Sequence, residues 1–379
     1  MPVPHHSESW KVPPRDRNGF EVGIICALGL EFDAVRAVCD EIWSDKGVEY
    51  GVKDGDKNRY TTGRIGKHPV VLVRLTAMGK EPAARASAYL QMSYPKLRLV
   101  LLVGICGGVP MNKGDEIRLG DVVISHRIVE YDFGRLYPDG VDAKDADGRH
   151  KVDTDISAYI ESLRDGDSRK ALDRLFLQSL ETMTQKESNR IYKSPGIHTD
   201  VLFHAKYRHK HQQPRVEDPQ CRACSSQWDP VCEEAKKQSC AEVGCDDKWL
   251  VRGALTTEEP RISDRTPALH FGAMGCGNLV IKCAENRDRI ARRKNVIAFE
   301  MESAGVFQTF AGVVVKGVCD YADSHKNKNW QFHAAATAAA ATAAMLEQFT
   351  PSDRPQLAEI SHGELRGTLP RLTALTETY

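Results

Sequence analysis

The chain has 379 residues, 41% of them apolar, which suits one large domain with insertions or two domains with real cores. Its 52 Lys+Arg balance its 52 Asp+Glu, so no global field favours nucleic acid or an anionic membrane, and a small molecule is the expected partner. The opening stretch MPVPHHSESWKVPPRDRNGF lacks the apolar run of a signal peptide, and no stretch approaches the ~20 apolar residues that span a bilayer, so a cytoplasmic setting is expected.

Residues 1–19 read as a flexible, Pro-rich arm. Glu21–Leu28 is a short apolar run, the expected first strand. In GLEFDAVRAVCDEIW, Phe32, Val35, Cys39 and Ile42 recur at helical spacing and predict a helix. RYTTGRI and VVLVRL flank the turn Gly66-Lys67-His68-Pro69 and predict a hairpin. TAMGK leads into a predicted helix, EPAARASAYLQM. LRLVLLV is another buried strand, ending in GICGGVP, and GDVVIS is one more.

From residue 133 to 250 the texture turns polar and charged, with few apolar runs. This segment reads as a loop-rich insertion, helical near Ser168–Met183. A structureless loop of that length is rare, so it either carries function or is partly disordered. The core pattern resumes at PALHFGAMGCGNLVI and VIAFEMESAGVFQTF. VVVKGVCD then reads as a buried strand. An alanine-rich helix follows, its composition explained by helix propensity alone. Residues 351–379 read as a polar tail. Strands alternating with helices predict an α/β fold, here one domain over 20–350 around a largely buried mixed sheet.

Four sets of polar residues sit at strand ends or helix starts, where open α/β sheets bind ligands. Glu31 follows the first strand; in a first helical turn it could simply favour the macrodipole. The glycines of GICGGVP make a tight turn or let backbone approach a ligand. Glu300 and Glu302 in FEMES either face solvent or serve a site. Asp320 and Asp323 end the last strand as caps, ion-pair partners or catalytic groups.

In the same order along the chain, these pieces resemble the purine nucleoside phosphorylase/uridine phosphorylase superfamily, in particular its methylthioadenosine/adenosylhomocysteine nucleosidase branch and related fungal nucleosidase-like proteins. VGIICALGLEFDAV is similar to that branch's opening strand, TAMGK to its SGIGK, VGICGGVP to TGSAGGL, LGDVVIS to VGDIVVS, FEMES to VEMEA, and KGVCDYAD to RAISDVAD. The match covers most of 20–131 and 265–347. The resemblance implies a three-layer phosphorylase-like sandwich, Glu31 as the water-activating base and Asp320 as the leaving-group acid. It further implies substrate contacts at Cys106, Gly107, Gly108, Val280, Ile281, Met301 and Glu302, a homodimer, and no cofactor. Cys319 replaces a Ser of the pattern and Cys106 an Ala. The implied activity is hydrolysis of a purine nucleoside's N-glycosidic bond. A phosphate-dependent phosphorylase and a nucleotide-sensing or defence-signalling module with little turnover are the rivals.

Five of the eleven cysteines lie in the insertion: Cys221, Cys224, Cys232, Cys240 and Cys245. Outside oxidising compartments these are thiols or metal ligands. Cys221 and Cys224 have the C-x2-C spacing of a zinc knuckle, without a matching second pair. The alternative is plain thiols in a loop. The basic run His204–Arg215 reads as a solvated loop or as a clamp for a phosphorylated 5′ group.

Overall fold

The computed structural model describes residues 9–112, 114–137, 140–143, 153–212, 224, 229–252, 265–326 and 328–351. Eleven strands form one mixed sheet: β1 (Val22–Cys26), β2 (Glu41–Ile42), β3 (Tyr60–Ile65), β4 (His68–Arg74), β5 (Leu99–Gly108), β6 (Val122–Ser125), β7 (Ile128–Glu130), β8 (Leu269–Phe271), β9 (Ala273–Cys276), β10 (Val296–Glu300) and β11 (Gly312–Asp320). The helices are α1 (Gly29–Val38), α2 (Lys80–Ser93), α3 (Thr154–Ser162), α4 (Gly166–Gln185), α5 (Cys240–Val243), α6 (Ala284–Lys294), α7 (Ser303–Val306) and α8 (Gln331–Gln348).

The main path of the sheet runs β8-β6-β11-β5-β1-β4-β3-β2. Strands β4, β1, β5 and β11 are mutually parallel, and every residue of β1 and β11 is buried. That burial is why their sequences are continuous apolar runs rather than alternating ones. The long strand β5 serves two sets of neighbours. Its body pairs with β1 and β11, while Gly107 and Gly108 at its end pair antiparallel with Phe299 and Ala298 of β10. β10 in turn carries β9 and β7.

Successive residues point to opposite faces. Val22, Ile24, Leu101, Val313 and Val315 join a core with α1, α3, α4 and α8. Ile25, Val71, Val100, Leu102 and Val314 join a second core with α2 and α7. Each large side chain buried in this way contributes about 1.5–3 kcal/mol. The result is the three-layer α/β sandwich expected from the sequence. The alanines of α8 do more than favour a helix. Ala334–Ala341 are all buried where α8 lies against β11, α1 and α4, a position that admits only small side chains.

Several local expectations shift. The 3.6-residue spacing that predicted helix through Ile42 stops at Val38. Cys39 is extended, and Glu41–Ile42 instead pair with Gly63 and Arg64 of β3. Edge pairing wins over helical periodicity there. The hairpin turn shortens to Gly66 and Lys67, because Ile65 pairs with His68. Part of the arm lies against the body: Tyr50 donates to the Pro14 carbonyl at 2.9 Å. The segment 133–250 is not uniformly loop-rich. Leu172, Phe176, Leu180 and Met183 of α4 are buried against α8 in the first core. Residues 1–8 of the arm and 352–379 of the tail lie outside the described residues. Among the described residues, no helix is long and apolar enough to cross a membrane.

Candidate active site

One cleft opens at the C-terminal ends of β1, β5, β10 and β11. Glu31, Cys106, Gly107, Val280, Ile281, Met301, Glu302 and Asp320 all line it. Gly108 does not. It sits in the ladder opposite Ala298, and a Cβ there would meet Val318 at 2.7 Å. The chain brings these residues together because strand ends from four separate segments meet where β5 exchanges partners. Met78, Leu279 and Val280 leave an exposed apolar rim at the mouth.

Glu31 stands in the first turn of α1 and is 2% exposed. Its Oε2 accepts the backbone N–H groups of Ala27 and Leu28 at 2.8 and 2.7 Å, and Oε1 accepts that of Ile105 at 2.8 Å. Three charge-assisted bonds fix the carboxylate against β5. Gly104 is what admits it: a Cβ at that position would lie 2.1 Å from Oε1. Burial pushes the Glu31 carboxyl above the usual range. Lys316 and the N–H groups of Leu28 and Ile105 pull it back, and Glu302 adds to the rise.

Lys316 is the residue that sequence reading missed. It is fully buried in β11, with its ammonium 3.3 Å from Glu302 Oε2 and 3.9 Å from Glu31 Oε1. Burial alone would depress its pKa. Glu31, Glu302 and Glu300 more than reverse this and hold the ammonium charged well above the usual lysine range. Glu302 Oε1 also accepts from the Gly79 N–H at 3.3 Å. Glu300 builds the turn. It accepts the N–H groups of Glu302 and Ser303 at 2.9 and 3.0 Å and the Ser303 hydroxyl. The one available signal for Lys316 was a single charged letter inside an otherwise apolar strand, since an unpaired lysine is almost never fully buried.

Across the cleft, Asp320 Oδ1 accepts the Ala322 N–H at 2.9 Å, and Oδ2 lies 2.9 Å from the Lys326 ammonium and 3.3 Å from the Cys319 thiol. Gly107 permits this approach, because a Cβ there would sit 3.0 Å from Oδ1. Burial and the nearby Asp320 carboxylate push the Cys319 thiol far up, and burial does the same for Cys106, so both are neutral lining groups rather than nucleophiles. Asp323 caps its own turn: its Oδ1 accepts the His325 N–H at 2.9 Å.

Two cations on the helices beside the cleft are paired with carboxylates. Lys80 binds Glu130 and Asp132 at 3.1 and 2.8 Å, and Arg36 binds Asp45 at 2.7 Å. The described part of the basic run does not line the cleft. Arg208 and Lys210 donate to the carbonyls of Asp229 and Cys224, while His209 and His211 are buried. Cys221 lies outside the described residues; the Cys224 thiol donates to the Pro230 carbonyl and accepts from the Cys232 N–H.

The phosphorylase superfamily model matches residues 21–190. A nucleotide-binding leucine-rich repeat (NLR)-like protein of Hyaloscypha variabilis is 30% identical over 327 residues, 85% of this chain and 28% of that protein. A death domain-containing ATP nucleosidase of Amphimedon queenslandica is 31% identical over 101 residues, 26% of this chain and 18% of that one. A 5′-methylthioadenosine/S-adenosylhomocysteine nucleosidase of Mycobacterium bovis is 29% identical over 115 residues, 30% of this chain and 40% of that one. The chain thus matches well under two thirds of the length of each relative. Four of the six motifs named above, VGIICALGLEFDAV with Glu31, TAMGK, VGICGGVP and LGDVVIS, fall wholly inside the matched residues, and residues 21–190 belong to the phosphorylase superfamily.

Proposed function

We propose that the protein hydrolyses the N-glycosidic bond of a purine nucleoside, releasing free base and ribose. The observation that carries this reading is the buried Glu31 carboxylate in the same cleft as Asp320, with Lys80 and Arg36 both committed to carboxylates elsewhere. A phosphorylase has to hold a phosphate dianion near the anomeric carbon. A fixed carboxylate in that place repels the dianion and suits deprotonation of water.

In this reading the C1′–N bond breaks with its electron pair going to the base, and Asp320 donates a proton to the base's five-membered-ring nitrogen. Lys326 adds positive field on the side of the departing base. Water attacks C1′ and passes a proton to Glu31. Proton return through solvent resets both carboxyl groups. Glu302, held by Lys316 and the Gly79 N–H, accepts hydrogen bonds from the ribose hydroxyls, and its charge favours the cationic sugar. Met301 offers a soft apolar face beneath the sugar. The raised pKa of Glu31 moves it toward the range where a general base works best.

The test is incubation with adenosine, inosine, guanosine, methylthioadenosine, AMP and ATP, with and without phosphate, followed by chromatography. Full-rate base release in phosphate-free buffer is expected, with free ribose or its 5′-substituted form as the sugar product. Glu31→Gln should abolish it. An absolute need for phosphate, or accumulation of ribose 1-phosphate, would overturn the hydrolase. A second reading, a module within a larger signalling protein, is supported by the NLR-like and death domain-containing relatives. Tight nucleotide binding without product would favour it.

Glu302→Gln should slow ribosides more than 2′-deoxyribosides, which already lack one hydroxyl partner. Equal losses in kcat/KM on both would remove Glu302 from sugar recognition.

A further inference from the structure

The insertion and the loop after β11 meet at a cluster that the reaction does not use. His209, Cys240, Cys245 and His325 each present one ligand atom, and the four atoms lie within 4.8 Å of one another. We propose that these four side chains hold a structural zinc ion, which fastens the insertion to the loop that follows Asp320 and carries Lys326.

The sulfur–nitrogen distances are those of a tetrahedral zinc site. Zn–S bonds of about 2.3 Å and Zn–N bonds of about 2.0–2.1 Å at the tetrahedral angle separate sulfur from nitrogen by about 3.6 Å. Cys240 Sγ lies 3.6 Å from Nδ1 of both His209 and His325, and Cys245 Sγ lies 3.7 Å from the same two atoms. The imidazoles are aimed for coordination. His209 Nε2 faces the carbonyls of Ala235 and Gln238, both at 3.0 Å, and His325 Nε2 faces the Tyr207 carbonyl at 3.1 Å. A carbonyl only accepts, so each Nε2 carries the proton and each Nδ1 turns its lone pair toward the thiols. This is the outer-shell arrangement that orients zinc-bound histidines.

The backbone supports the same geometry. Ser239 and Glu242 cap the short helix α5, and Gly244 turns left-handed at φ 73° to bring Cys245 back beside Cys240. His325 stacks on Phe203 at 4.1 Å and lies nearly parallel to Tyr207 at 5.5 Å. Two thiolates neutralise the divalent ion in a half-buried place, and four protein ligands leave no open position. The role is therefore structural rather than catalytic. The C-x2-C pair that drew attention in the sequence contributes neither of these thiols. The ligands come from a C-x4-C pair and two distant histidines.

Full-length protein purified without chelator should contain zinc, and Cys240→Ser/Cys245→Ser should lower its zinc content by one equivalent per chain. Chelator should lower the Tm of the wild type and leave that of the double variant unchanged. Wild-type protein that holds no zinc and takes up none when it is added would overturn the proposal, as would a variant that keeps the full zinc content. Should the double variant fail to fold, crystals of the wild type decide: an anomalous difference map at the zinc edge should show a peak within bonding distance of all four side chains. No peak there sinks the site. None of these readouts depends on nucleoside turnover.

Discussion

Asp320→Asn should leave fold and ligand binding nearly intact and slow turnover by about 10²-fold or more, the scale of lost general-acid catalysis. The amide keeps the size of the side chain and its acceptance of the Ala322 N–H, but it cannot deliver a proton. It also deprives Lys326 of its carboxylate partner, 2.9 Å away. The residual rate should depend on the base, because good leaving groups need protonation least. Steady-state rates across a series of purine ribosides check this. A near-wild-type rate with adenosine or inosine would remove Asp320 from the mechanism.

Lys316→Met should destabilise the fold by about 3–5 kcal/mol, the cost of leaving buried charges without their partner. The methionine fits the volume of the lysine stem, so packing is conserved and the effect is electrostatic. Burial already raises Glu31 and Glu300, and Lys316 opposes both rises. Without the ammonium both carboxyls should rise further above their unfolded values. The folded state then binds protons that the unfolded state does not, so stability falls as pH rises. The deficit should be largest above the raised folded pKa values and shrink as pH falls through them. Denaturant midpoints of both proteins between pH 5 and 8 check the sign. The acid limb of residual kcat/KM should also move to higher pH, following Glu31. A deficit that grows toward low pH would show that Lys316 does not act through these glutamates.

The sheet was legible because its inner strands are covered on both faces and so read as unbroken apolar runs. Periodicity failed at Ile42, since spacing alone does not reveal that an edge strand will capture the chain after Val38. α4 was visible as a helix, yet its polar surroundings hid that Phe176 and Leu180 belong to the main core. Glu31, Glu302 and Asp320 stood out as carboxylates beside buried strands, and the structure gathers them in one cleft. Lys326 did not, because an exposed-looking lysine reveals nothing until its carboxylate partner is placed beside it, and the only sign of Lys316 was its charge within an apolar strand. Cys240 and Cys245 read as thiols or metal ligands, but their grouping with His209 and His325 did not show. Cys245 and His325 are 80 positions apart, and only the return of the insertion onto β11 brings them together.

The strand that ends in Asp320 is the last of the sheet in sequence and a central one in space. Among the described residues, β6 and β8 reach β5 only through β11. During synthesis from the N-terminus, those strands have no place on the sheet until Gly312–Asp320 has left the ribosome. The non-local pairing makes folding slow and exposes unpaired edges in the meantime. It also ties two events together. The strand that joins β6 and β8 to the rest of the sheet carries the proposed acid at its tip, so a nascent chain stopped before Gly312 has neither a finished sheet nor that carboxylate. Completion of the sheet and completion of the cleft are the same step.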